Sequence, residues 1–358
     1  MTARLMALLL LPWLAGSAAA ASGATSFWMG NPGTLQQLTR AAHAGDAASA
    51  IELAQILHSG VGVARQDAEA LRLLRGAQKR RPGPAGYWLG VIVGDPSCAC
   101  YSLAARDRYW RAAALLGDSR AEAKLAEAAA YARTPELAAR GLNRLASAAR
   151  RGNPTAEAAI GAMYLKGTVL PLNPAKGLSW LSSAARKGNA AAATQLGGAY
   201  MTGLGELRQN ETYAAQLYRR AARQGNAEAW WALSWLYWKQ GQRGPAQHGF
   251  CLLAQGGQDG AGTLCGAALL AVHGERGSLA GEAWLQRAAR QGDPRAAGTL
   301  AQVLSARPDT RPEAFAWLWR SGQPLNAVTT ALSFSPAQIQ EAAAQLRITP
   351  PWPAAAKR

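Results

Sequence analysis

The chain has 358 residues, with 38 lysines and arginines against 21 aspartates and glutamates, for a formal net charge of +17 at neutral pH. A charge of this size, carried mostly by 31 arginines, biases the protein towards acidic partners such as proteins, phospholipid headgroups or polysaccharides. The length would allow two or three domains, but a mark recurring through most of the chain predicts one continuous stack.

Residues 1–20 read as a secretory signal: Arg4 as the basic start, a short apolar run from Leu5 to Leu14 broken by Pro12, and Ala18-Ala19-Ala20 as a small-residue cleavage site. The run is too short to span a bilayer, and the mature chain is expected to begin near Ala21. The first cysteine is Cys98, so none follows the signal to carry a lipid. A periplasmic or secreted protein without a transmembrane segment is the expectation, and export argues against nucleic acid as the partner.

The recurring mark is a Gly-Asx or Gly-Pro pair: Gly45-Asp46, Gly83-Pro84, Gly117-Asp118, Gly152-Asn153, Gly188-Asn189, Gly225-Asn226, a blurred Gly256-Gly257, and Gly292-Asp293. Self-similarity at a period of 31 to 38 residues indicates stacked copies of one supersecondary unit. Alanine pairs such as Ala148-Ala149 and Ala184-Ala185 precede the glycine, usually followed by Arg or Lys. Alanine favours helix, and positive charge complements the last turn. Glycine supplies the left-handed residue that ends the helix. Asn153 or Asp293 then suits an N-cap, with Pro154 or Pro294 in the first turn. Each mark is therefore read as a helix C-cap joined to an N-cap.

Seven residues after the cap position come Leu53, Val91, Leu125, Ile160, Leu196, Leu233, Leu264 and Leu300, and eleven after it Tyr164, Tyr200 and Tyr237. Spacing by four puts both on one helical face. The second helix carries Leu145, Leu181, Tyr218 and Leu285 seven before its closing glycine. Between the helices lie Gly60-Val61-Gly62, Lys166-Gly167-Thr168 and Gly203-Leu204-Gly205. These loops follow helices and not strands, so a structural role outweighs a nucleotide-binding one.

The Ala-Ala-x-x-Gly-Asn, Leu-Gly-x-x-Tyr and Gly-x-Gly signatures resemble Sel1-like repeats, relatives of the tetratricopeptide repeat, over roughly residues 35–322. The resemblance is specific in the fourth and fifth copies and loose around Gly94–Ser102 and Gly241–Gly260. It implies an all-α, right-handed superhelical solenoid of about seven to eight helix-turn-helix repeats over residues 21–334. A capping helix is expected at 335–349, with Ser335 as N-cap, Pro336 at N1 and Ile339, Ala342, Ala343 and Leu346 along one face. Residues 350–358 are expected to be a flexible tail. Trp317, Trp319 and Trp352 are expected to cover the end of the stack.

Signals for chemistry are few. His43, His58, His248 and His273 are scattered over different repeats without ligand spacing, so no metal or cofactor is expected. There is no Gly-x-Ser-x-Gly elbow and no phosphate loop ending in Gly-Lys-Ser/Thr, and the chain is not expected to be an enzyme. Cys251 and Cys265 flank the blurred mark at similar distances; they either face one another as a disulfide or remain thiols. Cys98 and Cys100 either close a small ring or remain free or labile. Some Sel1-like proteins bridge the two helices of every repeat, a regularity this chain lacks.

The strongest binding candidates are Trp231 and Trp235, in the run Trp-Trp-Ala-Leu-Ser-Trp-Leu-Tyr-Trp at 230–238. They stand where earlier copies carry Ala158 and Ala162, or Thr194 and Gly198. Leu233, Tyr237 and Trp238 fall on core positions. Trp231 and Trp235 either anchor a partner in a concave groove or fill space left by an irregular second helix after Gly241. The resemblance implies an envelope adaptor: an immunity protein neutralising a secreted effector such as a type VI secretion phospholipase, or a scaffold of an envelope or exopolysaccharide assembly. A protein binding or hydrolysing cell-wall fragments is the other class.

Overall fold

The computed structural model describes residues 32–274, 278–307 and 310–320. Among these residues there are 17 α-helices and no strand. Helix α1 (Pro32–His43) precedes eight helix pairs: α2 (Ala47–Ser59) with α3 (Asp67–Ala77), α4 (Pro82–Val93) with α5 (Leu103–Leu115), α6 (Ser119–Ala130) with α7 (Pro135–Arg150), and α8 (Pro154–Lys166) with α9 (Pro174–Arg186). Then follow α10 (Ala190–Thr202) with α11 (Glu211–Ala222), α12 (Ala227–Lys239) with α13 (Arg243–Gln255), α14 (Ala261–His273) with α15 (Ser278–Arg290), and α16 (Pro294–Ser305) with α17 (Arg311–Arg320). Each helix packs on the next. First helices also touch one another between repeats, as α2 does α4, α6 does α8 and α14 does α16, which places them on the inner side of the stack. The signal segment 1–20, the capping helix 335–349, the tail 350–358 and Trp352 lie outside the described residues.

The junctions have the chemistry expected of them. Gly45, Gly117, Gly152, Gly188, Gly225, Gly257 and Gly292 all have φ between +78° and +96°, a region costly for residues with a Cβ. Asp46, Asp118, Asn153, Asn189, Asn226 and Asp293 then accept backbone N–H bonds at the start of the next helix. Asparagine does a second job that aspartate cannot. The Asn153 amide nitrogen donates to the Ser119 carbonyl at 2.6 Å, and that of Asn189 to the Pro154 carbonyl at 3.2 Å. Arg80 donates to the Gly45 carbonyl and Arg220 to the Arg186 carbonyl. The caps Asn153 and Asn189 are thus tied to the repeat before by hydrogen bonds that span about one period.

Within a pair, small residues let the backbones meet. A Cβ on Gly161 would lie 3.0 Å from the Gly177 carbonyl oxygen, and one on Gly266 2.8 Å from that of Gly281. Leu181 and Leu285, both fully buried, cover these two crossings. Leu145 and Tyr218 are buried at the same register.

Three register expectations need correction. Gly83 does not end a helix: α4 starts at Pro82, with Gly83 inside it. The core residue facing α5 is therefore Leu89, fully buried, and Val91 is half-buried. In α14 an extra turn, Gln258-Asp259-Gly260, precedes the helix. Aligned on the crossing glycines, Cys265 takes the place of Ile160 and Leu196 and is fully buried, leaving Leu264 half-buried. Leu125 is half-buried, with Ala123 and Ala126 inside instead. Tyr164, Tyr200, Tyr237 and Trp238 are half-buried at seams and are not core.

Candidate aromatic interaction site

The first helix of the sixth pair, α12, is unusual because it carries Ser234 where α8, α10 and α14 have the crossing glycines Gly161, Gly197 and Gly266, and its partner α13 meets it with Gly249. A Cβ there would overlap the Ser234 hydroxyl and come within 3.4 Å of the Trp230 ring. Space over α13 is thus occupied by Trp230, 5% exposed, and Ser234, 1% exposed. Ser234 returns its hydroxyl to the Trp230 carbonyl at 2.7 Å.

Trp231 and Trp235 lie elsewhere. Both meet Phe250 of α13 edge-on, with ring centroids 6.2 and 5.4 Å away, and each other at 6.5 Å. Trp238 completes the arc at 6.5 Å from Phe250. Phe250 is buried and forms the floor. Trp231 is half-buried and leans towards Gly260, whereas Trp235 is 43% exposed. The Arg243 guanidinium stacks 3.9 Å from the Trp238 centroid and donates to its carbonyl. Arg219 donates to the Tyr237 hydroxyl at 2.9 Å. The result is an aromatic surface with a buried floor and the Arg243 guanidinium at its rim. Sequence comparison singled out Trp231 and Trp235 but missed Trp230 and Phe250. Phe250 lies seven residues before Gly257, the second glycine of the blurred mark, so counting from that glycine finds it.

Cys251, next to Phe250, is disulfide-bonded to Cys265, with Cα atoms 4.7 Å apart, tying α13 to α14. Cys98 and Cys100 form a second disulfide in the loop after α4.

Beside that loop lies a polar cluster. Arg65 bonds Asp67 at 2.8 Å, Asp95 at 2.7 Å and the Ser97 hydroxyl at 2.7 Å, and His58 Nδ1 lies 2.8 Å from Asp67. Partial burial works to raise the Asp95 pKa, but the Ser97 amide and hydroxyl and the Arg65 guanidinium outweigh it and hold the carboxyl down to about 2. With its serine bonded to both Asp95 and Arg65, the cluster is an ion-pair network and not a nucleophile with its base. His273 is exposed at the end of α14 and bonds Gln247. Trp317 is buried between α16 and α17. Among the described residues no group of histidines, cysteines and carboxylates is placed to hold a metal, and no helix is long and apolar enough to cross a membrane.

Paired helices repeated at one period, with capped junctions and an inner layer of first helices, define an α-solenoid. The Sel1 repeat family model matches residues 47–77, 154–189, 190–226 and 279–293, so the chain carries Sel1 repeats in four places. A similar solved structure is a protective antigen of uropathogenic Escherichia coli displaying an SLR fold: 23% identity, 87% of this chain and 70% of that one covered, TM-score 0.51. A Sel1 repeat protein from Oxalobacter formigenes is 24% identical over 87% of this chain and 90% of that one, with a TM-score of 0.43. No curated protein matches the chain. Sel1 repeats generally mediate protein–protein interaction, and proteins built from them are generally non-catalytic scaffolds.

Proposed function

We propose that the protein is an exported adaptor whose inner face binds an acidic protein partner, with Trp231 and Trp235 as anchors. The observation that carries this reading is the exposure of Trp235 over Phe250 on a first helix, where neighbouring repeats have Ala162 and Gly198. A large aromatic ring held over a buried floor offers contact area at low entropic cost. Arg243 at the rim, on a chain of net charge +17, suits carboxylates on the partner. Export to the periplasm follows from reading residues 1–20 as a signal.

Within this reading we favour an immunity protein that captures a toxic effector, such as a secreted phospholipase. Charge complementarity raises association rates, and speed matters against a toxin. A scaffold in an envelope or polysaccharide-export assembly is the alternative, and the identity of the captured partner separates the two. No nucleic acid, cofactor or catalysis enters either reading.

Trp235→Ala should weaken partner binding about 30-fold, the size of an interface hot spot, with unchanged helical content and thermal midpoint. Trp231→Ala should also cost about 1–2 kcal/mol of stability, because that ring is half-buried. Unchanged affinity with Trp235→Ala, measured by calorimetry or surface plasmon resonance, would remove the site from the account.

A further inference from the structure

The first and sixth helix pairs touch, although about 190 residues separate them. The loop after α2 ends on α13: the Gly62 amide donates to the Leu252 carbonyl at 2.9 Å. Val61 is 1% exposed and joins a hydrophobic cluster otherwise built from residues between Ala158 and Ala268. A Cβ on Gly60 would lie 3.1 Å from the Gly256 Cα, and one on Gly256 would overlap the Gly60 carbonyl oxygen. Equivalent loops show what this contact changes. Thr168 and Leu204, which follow the helix-ending glycines Gly167 and Gly203 as Val61 follows Gly60, are exposed. The loop at 60–62 is buried because another turn of the stack covers it.

Both sides of the contact are braced. Arg65, bonded to Asp67, Asp95 and Ser97, holds the loop against the turn between α4 and α5 of the second pair. The Cys251–Cys265 disulfide fixes α13 beside Leu252. We propose that Gly60-Val61-Gly62 is a latch that closes one superhelical turn onto α13, so that the inner face is held as a closed ring. It accounts for the extra glycine of the Gly256-Gly257 mark: Gly257 ends the helix with φ +78°, whereas Gly256, with φ −76°, needs no glycine for its own backbone and has the Gly60 backbone lying against it.

That distinction supplies a clean test. Gly256→Val fits its own backbone and fills the space needed by Gly60, and Val61→Asp puts a charge into the buried contact. Hydrogen exchange on the full chain should show residues 57–66 exchanging about tenfold faster in Gly256→Val, and residues 252–258 about tenfold faster in Val61→Asp. Small-angle scattering should show a larger radius of gyration in both, with helical circular dichroism retained. Unchanged exchange at 57–66 together with an unchanged radius in Gly256→Val overturns the latch, whether or not Val61→Asp folds. Both readouts are made without a partner, so failure of the adaptor reading leaves the latch standing, and the reverse holds.

Discussion

Glu157 shows how little a side chain's presence says about its worth. It is 3% exposed, one oxygen bonds the Lys187 ammonium, and the other has no partner. The next repeat carries Ala193 at the same position. A buried ion pair often contributes little net stability, whereas removing one member leaves an uncompensated charge. Glu157→Ala should therefore change stability by less than about 1 kcal/mol, and Lys187→Ala should lower it by about 1–3 kcal/mol. Urea unfolding of both variants decides this; a larger loss for the alanine at 157 contradicts it. Asp95 gives a pH dependence with a definite sign. Its carboxyl is held below the unfolded value near 4, so its stabilisation is present above about pH 4. It is lost as the pH falls towards about 2. Asp95→Asn should destabilise by about 1–3 kcal/mol at neutral pH and flatten the acid limb of the stability curve. An acid limb as steep as the wild type's would show that other carboxylates set it.

At the scale of helices and their junctions, the Cys251–Cys265 bridge is the strongest constraint outside packing. It closes a short loop around the α13–α14 turn, and such closures typically contribute about 2–4 kcal/mol. Cys251→Ala/Cys265→Ala should lose that amount in chemical denaturation, and a digest of the unreduced wild type should yield the two peptides joined. Two free thiols in that digest would end the assignment. The junctions were legible because a cap is local: glycine, Asx and proline within three residues carry the whole instruction. Register was harder. Gly83-Pro84 mimics the mark, but Pro82 already starts the helix. The extra turn at 258–260 then shifts α14 by enough to exchange Leu264 for Cys265. In both places the glycine that meets its partner helix, Gly90 or Gly266, is a better ruler than the one that ends the helix.

For the whole molecule, one period written along the chain was enough to read an α-solenoid, because every repeat contacts mainly its neighbours. Closure of the turn was not legible. The Gly62–Leu252 bond joins segments about 190 residues apart, and no periodic rule relates them. The candidate surface was half legible: Trp231 and Trp235 stood out as departures from small residues, while the buried Phe250 beneath them is an ordinary core position whose exposed neighbours make it a floor. The net charge of +17 belongs to this scale too, since screening should weaken capture of an acidic partner as salt rises. The most direct measurement is affinity capture from a periplasmic extract at low and high salt, with the wild-type chain and Trp235→Ala compared side by side. A discrete protein should be retained by the wild type, more at low salt, and largely lost with Trp235→Ala. Retention of a glycan and no protein, or equal capture by both chains, would contradict the adaptor.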